Sequence, residues 1–290
     1  MSRGAYLLSL GLVPYGEAFD LQRSLAGAVS QGAIPETVVL LEHPPVVTLG
    51  RRTETDQELH IPDDAEVEVA ETDRGGKSTF HGPGQLVCYP VLDLRHHGKD
   101  VKRYVRDLED ALIRTLAAFD LEAVRYEGLT GVWMPPRRRQ VAASDALTSV
   151  GGRDSADARP ARQSDVQRRE RSTEPGSARR GSNPHGGGEG PRKIASIGVH
   201  VSRWVTTHGY ALNVDLDPAP FTDWITACGL EDAAFTTMAR ELGSPLTVGD
   251  VRPAAIEALG DVFGLDFEEL PVVDGAGLWP QHIHASLAAR

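Results

Sequence analysis

The stretch from residue 137 to residue 192, which opens RRRQVAASDALTSVGGRDSADARPARQSD, contains no Phe, Tyr, Trp or Ile. Such a segment cannot bury enough apolar surface to offset the entropy lost on ordering. It therefore builds no core, and the flanking pieces 1–136 and 193–290 must supply one between them. The stretch reads as a disordered Arg/Gly/Ser-rich insertion in a loop, where added length costs little. Its twelve arginines against seven acidic residues make it basic inside a chain of formal net charge −11. It is either a tolerated insertion or a basic arm that meets an acidic partner. The acidic remainder argues against indiscriminate nucleic-acid binding.

The flanks read as mixed α and β. TVVLLEH (37–43) and QLVCYPVLDL (85–94) are apolar, β-branched runs of strand length, and EVEVA (66–70) alternates like a half-buried strand. Between 100 and 120, Val101, Tyr104, Val105, Leu108, Leu112, Leu116 and Phe119 recur at helical spacing with charged residues between them. Weaker helical patterns cover 14–30 and 247–263. VWM (132–134) and the run 193–214 look like parts of one sheet whose hairpin connection the insertion has stretched. Strands and helices do not alternate regularly, so the expected fold is α+β, a single domain around a mixed sheet.

RGGKSTFHGPG (74–84) ends its first half like a phosphate-binding loop, but the glycine that must open such a loop would fall on Glu71. A carboxylate there has the wrong shape for the turn and the wrong charge beside phosphate. The eleven residues therefore need another explanation. Cys88 and Cys228 are the only cysteines, too few for a disulfide framework and spaced for no zinc site; Cys88, in an apolar run, reads as a buried inert thiol. No apolar run reaches the roughly eighteen residues of a membrane span, and no cleavable leader is visible, so a cytoplasmic location without a membrane partner is expected.

Only four lysines occur, Lys77, Lys99, Lys102 and Lys193, against twenty-six arginines. Lysine can lose its proton and arginine cannot. Lys193, beside the small residues Ala195, Ser196 and Gly198, is thus a candidate for proton chemistry, with a solvated strand-end cation as the alternative.

RGGKSTFHGPGQLVCYPVLDL, KIASIGVHVSRWVTTHGYALNV, the CGL around Cys228 and HPPVVTLGRR (43–52) together resemble the octanoyl-[acyl-carrier-protein]:protein octanoyltransferases of lipoate biosynthesis. The likeness spans most of residues 5–230. It implies a fold similar to the catalytic domains of biotin and lipoate protein ligases. It also implies transfer of an octanoyl group from octanoyl-acyl carrier protein to a lysine of a lipoyl domain, in a 2-oxoacid dehydrogenase complex or the glycine cleavage H protein, with no cofactor and no metal. Carried over by position, Cys228 bears the acyl group and Lys193 activates it. The acyl-binding segments correspond to Arg74, Gly75, Gly76, Lys77, Ser78, Thr79, Phe80 and His81, to Ser196, Ile197 and Gly198, and to Gly209, Tyr210 and Ala211. Lys77 falls at a position that varies in the family pattern and is expected at the surface.

Several alternatives stay open at this level. His208 could pair with Cys228 as an auxiliary base; Arg74 could anchor its loop or meet the carrier's phosphate; His81 could donate near the thioester carbonyl or be structural. Phe80 stands where the family usually has tyrosine, and Ala227 where it usually has proline. An ATP-dependent ligase of the same fold and a non-catalytic carrier-binding module are the competing functions.

Overall fold

The computed structural model describes residues 2–54, 59–137, 190–225 and 234–271. The chain divides into two units, Met1–Pro136 with Pro191–Arg290, and Arg137–Gly190. The expectations for 138–189 and for Cys228 lie outside the described residues. Everything below concerns the first unit.

In chain order the strands are β1 (Arg3–Leu12), β2 (Thr37–Glu42), β3 (Val46–Leu49), β4 (Glu68–Glu71), β5 (Thr79–His81), β6 (Gln85–Val91), β7 (Val124–Tyr126), β8 (Leu129–Met134), β9 (Arg192–Ser202), β10 (Val205–Asn213), β11 (Ala234–Phe235) and β12 (Leu265–Glu269). The helices are α1 (Tyr15–Ser30), α2 (Val101–Ala117), the short α3 (Pro220–Asp223) and α4 (Met238–Leu242), and α5 (Val248–Phe263). The main sheet runs β12-β1-β2-β6-β10-β9-β8-β7, with β11 paired to β9, and β4-β3-β5 form a second, smaller sheet. β1 is parallel to both β12 and β2, and the β2-β6, β6-β10, β10-β9, β9-β8 and β8-β7 pairs are antiparallel. The fold is therefore α+β around a mixed sheet.

The unbroken apolar runs at 37–43 and 85–94 follow from helices on both faces. Val38, Leu40, Leu86 and Cys88 join the core that α2 and α5 cover, whereas Val39, Leu41, Val87 and Tyr89 join the core under α1. Asp100 caps α2 by accepting from the N–H groups of Lys102 and Arg103, and Thr247 and Asp250 form a capping box on α5. Each cap satisfies donors that a helix start leaves open.

Met134 and Trp133 of β8 lie opposite Arg192 and Lys193 of β9, so the flanks of the 137–190 unit are adjacent antiparallel strands. The run 193–214 is itself a hairpin, β9 and β10 turning at Arg203 (φ 49°) and Trp204 (φ 71°). Two-residue hairpin turns of this hand usually carry Asn or Gly, which is why the sequence does not announce this one. Among the described residues no helix is long and apolar enough to cross a membrane.

Candidate active site

The loop 74–78 is folded by its own arginine. Arg74 Nη2 donates to the carbonyl of Thr48 at 2.7 Å and to its hydroxyl at 2.8 Å, while Nη1 donates to the carbonyls of Lys77 at 2.7 Å and Gly75 at 3.2 Å. With its guanidinium so engaged and the residue buried, Arg74 anchors the loop. The loop lies on β9: the Gly75 N–H donates to the Val199 carbonyl at 3.0 Å. A Cβ on Gly198 would meet Arg74 Cδ and the Gly75 carbonyl oxygen, both at 3.1 Å, so glycine at this position permits the close approach.

Between loop and sheet is a cavity of about 450 Å³, within the range of small-molecule sites, about 300–1,000 Å³. Of the residues implied by the resemblance, Arg74, Gly75, Gly76, Lys77, Ser78, Thr79, His81, Lys193, Ser196, Ile197, Gly198, Gly209, Tyr210 and Ala211 line it, as does the auxiliary candidate His208. Phe80 is not among its lining residues. It alternates to the other side of β5 and stacks edge-on against Phe221 and Trp224, in a separate apolar cluster with Val47 and Ile225. Lys77 does line the cavity, although a surface position was expected.

Lys193 is 3% exposed, which removes the solvated strand-end alternative. Its Nζ lies 5.4 Å from the centre of the Trp133 ring, and its carbonyl accepts from the Thr236 N–H at 3.0 Å. The β8-β9 register shifts between Val132, opposite Ala195, and Trp133, opposite Lys193. That irregularity leaves Ile194 without an opposite number. Because strand side chains alternate faces, it also sets which face Lys193 takes relative to Ala195.

The histidines are settled by their partners. His81 donates from Nδ1 to Gln85 Oε1 at 2.7 Å, and its Nε2 accepts from the Thr48 hydroxyl at 3.4 Å. Gln85 Nε2 in turn donates to Phe80 O and Asn213 Oδ1. Burial pushes the His81 pKa down to about 3, so the ring is a neutral link between Thr48 and Gln85. His43 donates from Nδ1 to the Val13 carbonyl at 2.6 Å and accepts from the Tyr89 hydroxyl at 2.7 Å; burial lowers its pKa to about 4.

His208 sits at φ 58°, its backbone N–H donating to Gln22 Oε1 at 2.7 Å and its Nε2 facing Asp73 Oδ1 at 2.6 Å. Burial pulls the imidazole pKa below its ordinary value against the opposing pull of Asp73, leaving a neutral Nε2–H donating to a carboxylate. His208 pairs with Val199, six positions along β9 from Lys193. At about 3.3 Å per residue the two are separated by about 20 Å along the strand.

Cys88 is fully buried between core residues, and burial pushes its thiol well above the ordinary range; it is inert. Cys228 lies outside the described residues, as does Ala227. The chain re-enters the described structure at β11, where Ala234 and Phe235 pair in parallel with Arg192 and Lys193. Among the described residues no cluster of His, Cys, Asp or Glu is placed to hold a metal ion. Sequence reasoning missed Tyr15, Thr48, Asp73 and Trp133. For Trp133 a signal existed, since pairing VWM with KIA across the stretched hairpin brings it opposite Lys193.

The family description for the Lipoyl protein ligase A/B catalytic domain matches residues 14–260. An octanoyltransferase of Chloroflexus aurantiacus is 38% identical over 261 residues, covering 89% of this chain and 93% of its own length. One of Mycobacterium leprae is 41% identical over 252 residues, covering 87% and 85%. Among solved structures, the bipartite lipoate protein ligase of Thermoplasma acidophilum superimposes with a TM-score of 0.61 at 14% identity, covering 99% of this chain and 92% of that one. Lipoate-protein ligase A bound with ATP gives 0.57 at 13% identity, covering 100% and 95%. The structural likenesses establish the fold, and the sequence relatives place the chain: it belongs to the octanoyltransferases of the lipoyl protein ligase A/B catalytic-domain family and is an acyltransferase.

Proposed function

We propose that the chain moves an octanoyl group from octanoyl-acyl carrier protein to a lysine of a lipoyl domain through a thioester on Cys228. In the first half-reaction the Cys228 thiolate attacks the donor's thioester carbonyl. The bond to the carrier's phosphopantetheine sulfur breaks, and that sulfur takes the proton held by Lys193. In the second half the incoming lysine amine attacks the enzyme thioester, its proton goes to the now neutral Lys193, and the bond to Cys228 breaks. The ammonium and thiolate are thereby restored. A free thiol, with a pKa of about 8.5, is mostly protonated at neutral pH, and a neighbouring ammonium favours its thiolate; an amine must shed a proton as it attacks.

The observation that carries this reading is the placing of Lys193: buried in the wall of the cavity and in register with β11, six residues after Cys228. That the relatives are octanoyltransferases supports the octanoyl group, and the archaeal ligase, studied with its E2 lipoyl domain, supports a lipoyl-domain acceptor. The test is intact-mass measurement after mixing with octanoyl-acyl carrier protein and no ATP. One octanoyl adduct should appear, cleaved by neutral hydroxylamine, lost in Cys228→Ala and kept in Cys88→Ala. An adduct on Cys88, or transfer that needs ATP, would overturn the mechanism.

A further inference from the structure

Lys193 does not reach the cavity as a free-standing side chain; it is housed by the neighbouring strand. A Cβ built on Gly131 of β8 would lie 2.9 Å from Lys193 Cε, 3.5 Å from its Nζ and 2.6 Å from the Ala195 carbonyl oxygen. Gly131 also has φ +116°, in the region that a side chain disfavours. Two residues on, the Trp133 ring lies 5.4 Å from the same nitrogen, within the distance at which an aromatic face attracts an ammonium. The strand carrying both is tied to α2, because the Gly131 N–H donates to Glu109 Oε1 at 3.1 Å. That carboxylate is buried and pairs with Arg125 at 3.3 Å.

We propose that Gly131 and Trp133 are positioning residues for the reaction, forming a seat that fixes the Lys193 amine at its end of the cavity. The inference rests on the reading of Lys193 given under Proposed function. Gly131 leaves the space the lysine stem fills. Trp133 offers the face its ammonium meets; Gly131 and Trp133, two residues apart on β8, share one side of the sheet, and the register shift at Ile194 of β9 sets Lys193 toward it. A methyl group at 131 meets the Ala195 carbonyl oxygen as well as the lysine stem, so it both displaces the lysine tip and shifts β8 against β9. A misplacement of about 1 Å at a reacting group costs about 100-fold in rate.

The test has two readouts. The first is competitive acetic anhydride labelling with peptide mapping, which isolates Lys193 because the chain has only four lysines. The second is single-turnover transfer from octanoyl-acyl carrier protein. Lys193 should label about tenfold faster at fixed pH in Trp133→Leu, where the aromatic face is lost, and near the wild-type rate in Trp133→Phe, where it is kept. Transfer should fall about 100-fold in Gly131→Ala and about tenfold in Trp133→Leu, with Trp133→Phe close to wild type.

If Gly131→Ala does not fold, the Trp133 pair decides alone. Unchanged labelling and transfer in Trp133→Leu overturns the seat while leaving the role of Lys193 intact. Undiminished transfer by Lys193→Ala overturns the underlying reading and the seat's role with it, whatever the labelling shows.

Discussion

Arg192 and Glu241 form a two-pronged buried ion pair, Nε to Oε1 at 2.8 Å and Nη2 to Oε2 at 3.0 Å, with both side chains less than a tenth exposed. Glu241 Oε1 also accepts from the Thr236 hydroxyl at 2.6 Å, and the Thr236 N–H donates to the Lys193 carbonyl. The residue immediately before Lys193 is thus clamped to α4. Removing one partner from a buried pair costs about 3–5 kcal/mol. Glu241→Ala should lower the unfolding free energy by that order in urea, and Glu241→Asp by less.

The same clamp bears on the long segment that precedes it. With β8 and β9 adjacent and antiparallel and Arg192 held by its own side chain, replacing residues 138–189 by a short Gly/Ser linker should leave the single-turnover rate nearly unchanged. If the basic segment captures an acidic carrier, the loss should appear in carrier affinity and shrink at high salt. Collapse of the chemical step in a folded deletion variant would contradict the reading of this segment as an insertion.

Substitution at Lys193 separates charge from proton transfer. Lys193→Arg keeps a cation but can neither give up nor accept a proton; the carrier sulfur can leave as a thiolate and take its proton from water, so the variant should acylate Cys228 and then stall with octanoyl on sulfur. Lys193→Ala should lose both steps and move the iodoacetamide pH profile of the thiol upward, because a neighbouring positive charge has gone. Wild-type turnover by the arginine variant would mean another proton acceptor.

His208 is the obvious alternative acceptor, and its Nε2 is turned to Asp73 Oδ1 at 2.6 Å. His208→Asn, a residue that tolerates the left-handed backbone at this position, should complete both half-reactions within about tenfold of wild type. Its effect should fall mainly on donor KM through the cavity wall. A stall like that expected of Lys193→Arg would instead assign the proton to His208.

Acid should unfold the protein by way of its neutral histidines. His81 and His43 have pKa values of about 3 and about 4 in the folded chain because of burial, against about 6.5 when unfolded. Below about pH 6.5 the unfolded chain therefore binds more protons. Stability, full above that pH, should fall by up to about 1.4 kcal/mol per pH unit for each histidine until the folded values are reached. Urea midpoints from pH 7 to pH 4 would measure the slope, and His81→Gln should reduce it. A flat profile would mean that these rings are charged in the folded protein.

What the chain declares locally proved sufficient for some of its elements. The helix at 101–117, its Asp100 cap and the two central strands are written in residues at most a few positions apart, because periodicity and capping are short-range effects. The four stretches that carry the resemblance were likewise enough to indicate the family. Which side chains meet was decided elsewhere. Arg74 is an anchor because Thr48, 26 residues away, takes its guanidinium; His81 is a link because Gln85 and Thr48 occupy its two nitrogens. His208 and Lys193 stand in one run of sequence, and the hairpin at Arg203 and Trp204 folds His208 back beside Val199, six positions along β9 from the lysine. Gly131 looked like any strand glycine until β8 was laid beside β9. Such contacts depend on register and on partners distant in the chain, and a shift of one residue in pairing changes the face every side chain occupies. For that reason only the tertiary structure decided which residues house the lysine that composition had already singled out.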